Sequence, residues 1–184
     1  MRAFTMAAIG LVGFVWSATP SAAGDLKIGD AAPDFSLQAS NGKTYRLSDF
    51  RGKQAIVLAW FPKAYTRGCT LECKSLAEHG DLIKQFDVTY FMISVDPVEG
   101  EKGSRAFAEA HQADFPLLGD PTKKTAEAYG VLRTDTPLAN RWTFYIGKDG
   151  RIQFIDKDVP KRLATSAEDM AAKLGELKVP AAKK

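Results

Sequence analysis

Cysteine and histidine are scarce in this chain, two of each in 184 residues. Two thiols allow at most one disulfide within the chain, so the fold must rest on a packed core and not on a framework of bridges. The histidines, His79 and His111, stand alone on helix-like stretches, the pattern of surface or core packing. Charge of one sign is lacking as well. The 25 Lys and Arg against 22 Asp and Glu leave a net charge of +3, and the basic residues alternate with acidic ones. Nothing resembles the dense basic stripe of a nucleic-acid binder. No internal repeat or low-complexity segment is present. With 45% hydrophobic and 26% charged residues, the chain suits one globular domain with a sizeable core.

The amino terminus differs from the rest. Over residues 1–23 Arg2 is the only charge, an apolar stretch runs from Ala7 to Trp16, and small residues fill 17–23. This layout predicts a secretory signal peptide, with Ser21 and Ala23 before the cut and a mature chain over 24–184. The other reading, a membrane anchor, needs ~20 apolar residues to span a bilayer, and the stretch is shorter. No cysteine follows the predicted cut to carry a lipid. Export would place the protein in the periplasm or outside the cell, without stable membrane association after cleavage, where disulfides can persist.

Along the mature chain the periodicities change several times. Phe35-Ser36-Leu37-Gln38 and Thr44-Tyr45-Arg46-Leu47 alternate apolar with polar around Asn41-Gly42, a hairpin signature. AIVLAWF over 55–61 and VTYFMISV over 88–95 are continuous apolar runs that suit strands buried on both faces. Between them, Leu71, Leu76, Leu82, Ile83 and Phe86 recur at helical spacing, with Gly80 as a weak point. Helices are predicted over 101–111, 123–129 and 166–177, a short strand over 115–118, and a second hairpin from 141–146 and 151–155. The order is hairpin, β, α, β, α, short β, α, hairpin, α. It predicts an α/β fold with a central mixed sheet flanked by helices and an N-terminal β-hairpin.

Both cysteines fall in PKAYTRGCTLEC over 62–73, where the first apolar run gives way to a helix pattern. A helix start offers unpaired N–H groups and partial positive charge, which favour thiolate over thiol. Pro62-x-x-x-Thr66-x-x-Cys69-x-x-Glu72 matches the active-site motif of the peroxiredoxins, and 61–70 looks most like their Q-type, bacterioferritin-comigratory branch. Further landmarks are similar and in the family's order: MISVD over 92–96, FPLLGD over 115–120, AYGV over 128–131 and RWTFYI over 141–146.

The resemblance implies a thioredoxin-like fold and a peroxidase that needs no metal or organic cofactor. Its partners would be a peroxide and a thioredoxin-like reductant, and its state a monomer. Cys69 would attack the peroxide, Arg141 would add a nearby cation, Thr66 would offer a hydroxyl to the peroxide, and Pro62 would shield the thiolate. Plainer readings stand beside these: Thr66 as a helix N-cap, Glu72 as a complement to the helix dipole, Arg141 as a solvated strand residue.

Cys73 departs from the familiar pattern, since many Q-type members carry the resolving cysteine five residues after the first and here it is four. Positions i and i+4 on a helix hold their Cβ atoms about 5–6 Å apart, whereas a disulfide wants about 3.8 Å. Resolution by Cys73 therefore requires the first turn to distort, and a one-cysteine mechanism is the alternative. As a structural staple so short a loop would add only about 2 kcal/mol. Two other classes compete. Sco-type copper chaperones resemble this chain in their C-x-x-x-C, but need a histidine where Arg141 stands. Exported thiol-disulfide oxidoreductases use C-x-x-C, which is missing.

Overall fold

The computed structural model describes residues 25–182; the predicted signal peptide lies outside them. Seven strands form one sheet, in the order β2-β1-β5-β4-β3-β6-β7. The first hairpin is β1 (Ser36–Ala39) with β2 (Thr44–Arg46), turning at Gly42 with φ 80°. The two apolar runs become β3 (Ala55–Trp60) and β4 (Val88–Ser94), parallel neighbours at the sheet centre. On one side β5 (Leu117–Gly119) pairs parallel with β4 and antiparallel with β1. On the other, β6 (Thr143–Ile146) runs antiparallel to β3, and β7 (Ile152–Asp156) antiparallel to β6. This is the expected mixed sheet with an N-terminal hairpin.

Continuous apolarity in β3 has a direct structural cause. Ile56, Leu58 and Trp60 enter one apolar cluster, while Ala55, Val57 and Ala59 enter another. Side chains alternate between faces, so a strand covered on both must be apolar throughout. The helix α3 (Lys124–Ala128) contributes Ala126 to the first cluster. The second is capped by α1 (Arg67–His79), α2 (Ser104–Ala110) and α4 (Ser166–Glu176), through Leu76, Phe107 and Met170 among others. Leu76 and Phe107 are fully buried, each stabilising the fold by about 1.5–3 kcal/mol.

Several boundaries move from their predicted places. The helix expected to run on to Phe86 stops at His79, and Gly80–Leu82 forms a 3-10 turn. A Cβ on Gly80 would stand 2.6 Å from the Tyr90 hydroxyl, so the glycine serves a close approach to β4. The short strand starts at Leu117, after Pro116, which has no N–H for a ladder. Arg141 and Trp142 precede β6 and do not belong to it, although the Trp60 N–H still donates to the Trp142 carbonyl at 2.9 Å. That bond continues the β3–β6 alignment by one step and sets Arg141 beside the end of β3.

Candidate active site

β3 ends by delivering the chain into a tight loop. The Phe61 N–H donates to Ile93 O at 2.9 Å, and half-buried Pro62 follows without a donor. Asp96, held by the Ser94 hydroxyl at 3.1 Å, accepts from the Ala64 N–H at 2.8 Å. Tyr65 then adopts φ 63°, a left-handed conformation that costs a non-glycine residue of order 1 kcal/mol. Its ring meets Phe107 of α2 edge to face at 5.2 Å between centroids. Thr66 returns to extended backbone at the N-cap position of α1. Its carbonyl accepts from Thr70 N–H at 2.9 Å, but its hydroxyl donates back to Lys63 O at 3.0 Å and makes no cap bond. The side-chain cap reading of Thr66 is thereby corrected: the hydroxyl braces the loop instead, and stays on an exposed residue.

Cys69 lies in the first turn of α1, fully buried. Arg141 Nη2 donates to its sulfur at 2.9 Å, across 72 residues of sequence. The other arm of the same guanidinium, Nη1, donates to Glu72 Oε2. One planar cation therefore bridges the thiol and the carboxylate one turn later, a geometry that suits arginine and not lysine. The Arg141 side chain is 9% exposed, so neither a solvated strand arginine nor a carboxylate serving the helix dipole describes this pair. Glu72 is itself buried, and burial pushes its carboxyl up to about 7 against the opposing pull of Arg141. Glu72 and Cys69 hold Arg141 more firmly protonated than usual despite its burial.

Cys73 sits one turn further along, fully buried and unbridged to Cys69. Burial, then the charges of Glu72 and Cys69, push its thiol up to about 12. His79 pairs with Glu168 at 3.8 Å and His111 packs edge-on to Phe107 at 4.7 Å, so both histidines occupy the packing or surface roles predicted for them. Among the described residues no group of three His, Cys, Asp or Glu is placed to hold a metal ion. The structure thus gathers Cys69, Arg141, Glu72 and the Pro62–Thr66 loop at one end of β3, with Cys73 beneath.

Sequence reasoning missed two contributors. Gly68 lets the guanidinium approach α1, for a Cβ there would lie 3.3 Å from Arg141 Nη2; its signal was a glycine inside a helix start, where the residue is costly. Leu163, 3.2 Å from the same point, comes from a loop with no periodicity to read.

Known proteins are similar to this chain over most of its length. A model of the AhpC/TSA family matches residues 28–155. The chain belongs to that family. Peroxiredoxin Bcp of Escherichia coli strain K12 is 36% identical over 139 residues, covering 72% of this chain and 86% of that protein, which makes this chain a peroxiredoxin. The crystal structure of peroxidoxin BcpB from Mycobacterium tuberculosis superimposes with a TM-score of 0.72 at 29% identity, over 83% of this chain and 99% of the other. A cysteine-to-serine variant of PrxQ from Xylella fastidiosa gives 0.74 at 25% identity, over 84% and 99%. The fold of this peroxiredoxin is accordingly thioredoxin-like, and its enzymatic class is that of a peroxidase.

Proposed function

We propose that the chain reduces hydrogen peroxide or organic hydroperoxides through Cys69, with Thr66, Pro62 and Arg141 as the groups that prepare and hold the reacting atoms. The observation that carries this reading is the bridge from Arg141 to Cys69 and Glu72. The thiolate is the nucleophile in such a reaction, and the guanidinium gives the Cys69 sulfur a charge-assisted donor. The thiolate attacks the terminal oxygen of the peroxide, an S–O bond forms as the O–O bond breaks, and the leaving alkoxide or hydroxide takes a proton from solvent. Arg141 faces the charge that develops on oxygen, and the Thr66 hydroxyl, on the exposed lip of the loop, orients the peroxide. Pro62 adds no competing donor.

The product, Cys69 sulfenic acid, condenses with the Cys73 thiol to a disulfide and water, and a thioredoxin-like dithiol then reduces the bond by thiol exchange. Since Cys73 is buried on the same helix, this step requires the first turns of α1 to unwind. A copper-chaperone role is disfavoured because Arg141, always protonated, stands against Cys69 where a third metal ligand would be needed. Residues 1–23 are read as an export signal, placing the enzyme in the periplasm or outside the cell, and the mature protein as a monomer; cell fractionation and sedimentation test these two readings.

Stopped-flow reduction of hydrogen peroxide by wild type, Cys69→Ser and Cys73→Ser, followed by thiol counting, tests the mechanism. Cys69→Ser should lose all activity. Cys73→Ser should keep the first peroxide reduction within about twofold, because Cys73 acts after the peroxide has reacted, and lose steady turnover with a dithiol. Activity retained in Cys69→Ser would overturn the assignment; undiminished turnover in Cys73→Ser would replace it with a one-cysteine cycle.

A further inference from the structure

The connection from β7 to α4, residues 157–165, holds two single 3-10 turns, Val159–Lys161 and Leu163–Thr165. Its second turn packs against α1 and reaches the first turn of that helix at Gly68. A Cβ built on Gly68 would stand 3.2 Å from Leu163 Cδ1 and 3.3 Å from Arg141 Nη2. The missing side chain thus leaves room in which an apolar carbon of the connection closes beside the guanidinium that reaches Cys69.

The connection is fastened along its length. Lys157 Nζ lies 4.0 Å from the ring centroid of Trp142, the residue after Arg141. Arg162 donates to Asp156 Oδ2 at 2.6 Å and pairs with Asp169 Oδ2 at 3.4 Å, tying the end of β7 to α4. The Thr165 hydroxyl donates to Asp169 Oδ2 at 3.0 Å, and the Ala167 N–H donates to the Ser75 hydroxyl of α1 at 3.1 Å. Beneath it is a cavity of about 10 Å³ bordered by Glu72, Tyr145, Arg162 and Asp169, room for about one water.

We propose that Leu163, held in place by Arg162, is a positioning residue of the peroxidatic site: it keeps bulk water and ions off the Arg141 guanidinium, which then directs both arms at Cys69 and Glu72. The inference rests on the reading of Cys69 as the attacking thiolate. A charge-assisted hydrogen bond is stronger where the local dielectric is low and ions are excluded. Truncating Leu163 opens the space beside Gly68, and water and chloride then compete for the guanidinium.

Full-length Leu163→Ala, Leu163→Met and Arg162→Gln, each folded by thermal melt, are compared with wild type for hydrogen peroxide reduction at low and high salt. The substrate is uncharged, so salt acts on the site and not on encounter. Leu163→Ala should slow the first peroxide reduction about tenfold, the loss of about 1.4 kcal/mol of transition-state stabilisation. Between about 0.05 M and 0.5 M NaCl its rate should fall a further threefold or so, while wild type stays nearly flat. Leu163→Met, similar in volume, should return to within about twofold of wild type, and Arg162→Gln should fall between. A rate in Leu163→Ala that is unchanged, or reduced but still insensitive to salt, would assign Leu163 a packing role and overturn the inference. Loss of activity in Cys69→Ser alongside either result shows that the mechanism stands apart from this inference, whereas retained activity there would overturn both.

Discussion

Cys69 and Cys73 lie one turn apart on the same helix, both out of reach of solvent, and their surroundings are opposite in kind. Cys69 receives a hydrogen bond from a guanidinium. Cys73 belongs to the apolar cluster with Leu76 and Phe107, and its nearest charges are negative, so its thiol is pushed up to about 12. The helix start adds to this difference, since its effect fades within a turn and Cys73 lies beyond the first. The further difference is a cation delivered to Cys69 from a distant part of the chain. The comparison teaches that reactivity here is assigned by the β3–β6 register, which brings Arg141 to one thiol and leaves the other in hydrocarbon.

Removing the cation should therefore erase most of the contrast. Arg141→Met is expected to lower the rate of the first peroxide reduction about 10²–10³-fold, the usual cost of losing one preorganised donor to developing charge. Arg141→Lys should recover little of it, because an ammonium cannot reach sulfur and carboxylate with two fixed arms. Stopped-flow rates decide this, and a lysine variant near wild type would show that charge alone suffices and that the two-armed geometry is incidental.

Glu72 provides a second way to sharpen the contrast, through stability. Its carboxyl is raised from an ordinary 4.5 to about 7, chiefly by burial. Between those values the folded protein holds a proton that the unfolded chain has released. Stability should consequently fall as pH rises across that window and level off above it, by roughly 3 kcal/mol in all. Glu72→Gln removes the titrating group and should flatten the slope, as urea unfolding at a series of pH values would reveal. A wild-type profile that instead rises through the window, and that the variant does not alter, would mean that the ion pair with Arg141 outweighs desolvation and keeps Glu72 charged throughout.

Much of the scaffold was legible from the amino-acid order, because the forces that write it are local or periodic. Two-sided burial makes 55–61 and 88–95 continuously apolar, and Asn41-Gly42 supplies the left-handed turn its hairpin needs. Boundaries were less legible: Gly80 reads as a weak point in a helix, and only the Tyr90 hydroxyl across from it explains why the helix ends there. In the site, Cys69 stood out by motif and by helix start. Arg141 was placed by family resemblance, since no periodicity links it to a thiol 72 residues away. The pairing of Glu72 with Arg141 was invisible for the same reason, as was Leu163, whose contact depends on how a loop without repeat or alternation is pinned by Asp156 and Asp169.

The smallest expected effect comes from the residue that lets the two sides meet. Gly68 is helical and needs no unusual backbone, so alanine there would gain about 1 kcal/mol of helix propensity. Its new methyl would nevertheless stand 3.2 Å from Leu163 and 3.3 Å from the Arg141 guanidinium, tight enough that a neighbour must give by a few tenths of an ångström. Leu163 is the end of a flexible side chain on a loop and can yield by a few tenths of an ångström; Arg141, fastened to Glu72 and Cys69, yields only by lengthening one of those bonds. Gly68→Ala should then melt within a few degrees of wild type while reducing peroxide about three- to tenfold more slowly, a loss of about 1 kcal/mol at the transition state. Because the gain in helix propensity and the displacement of the cation act on different observables, a variant that is both as stable and as fast as wild type would show that Leu163 takes up the whole displacement, leaving the contrast between the two thiols untouched.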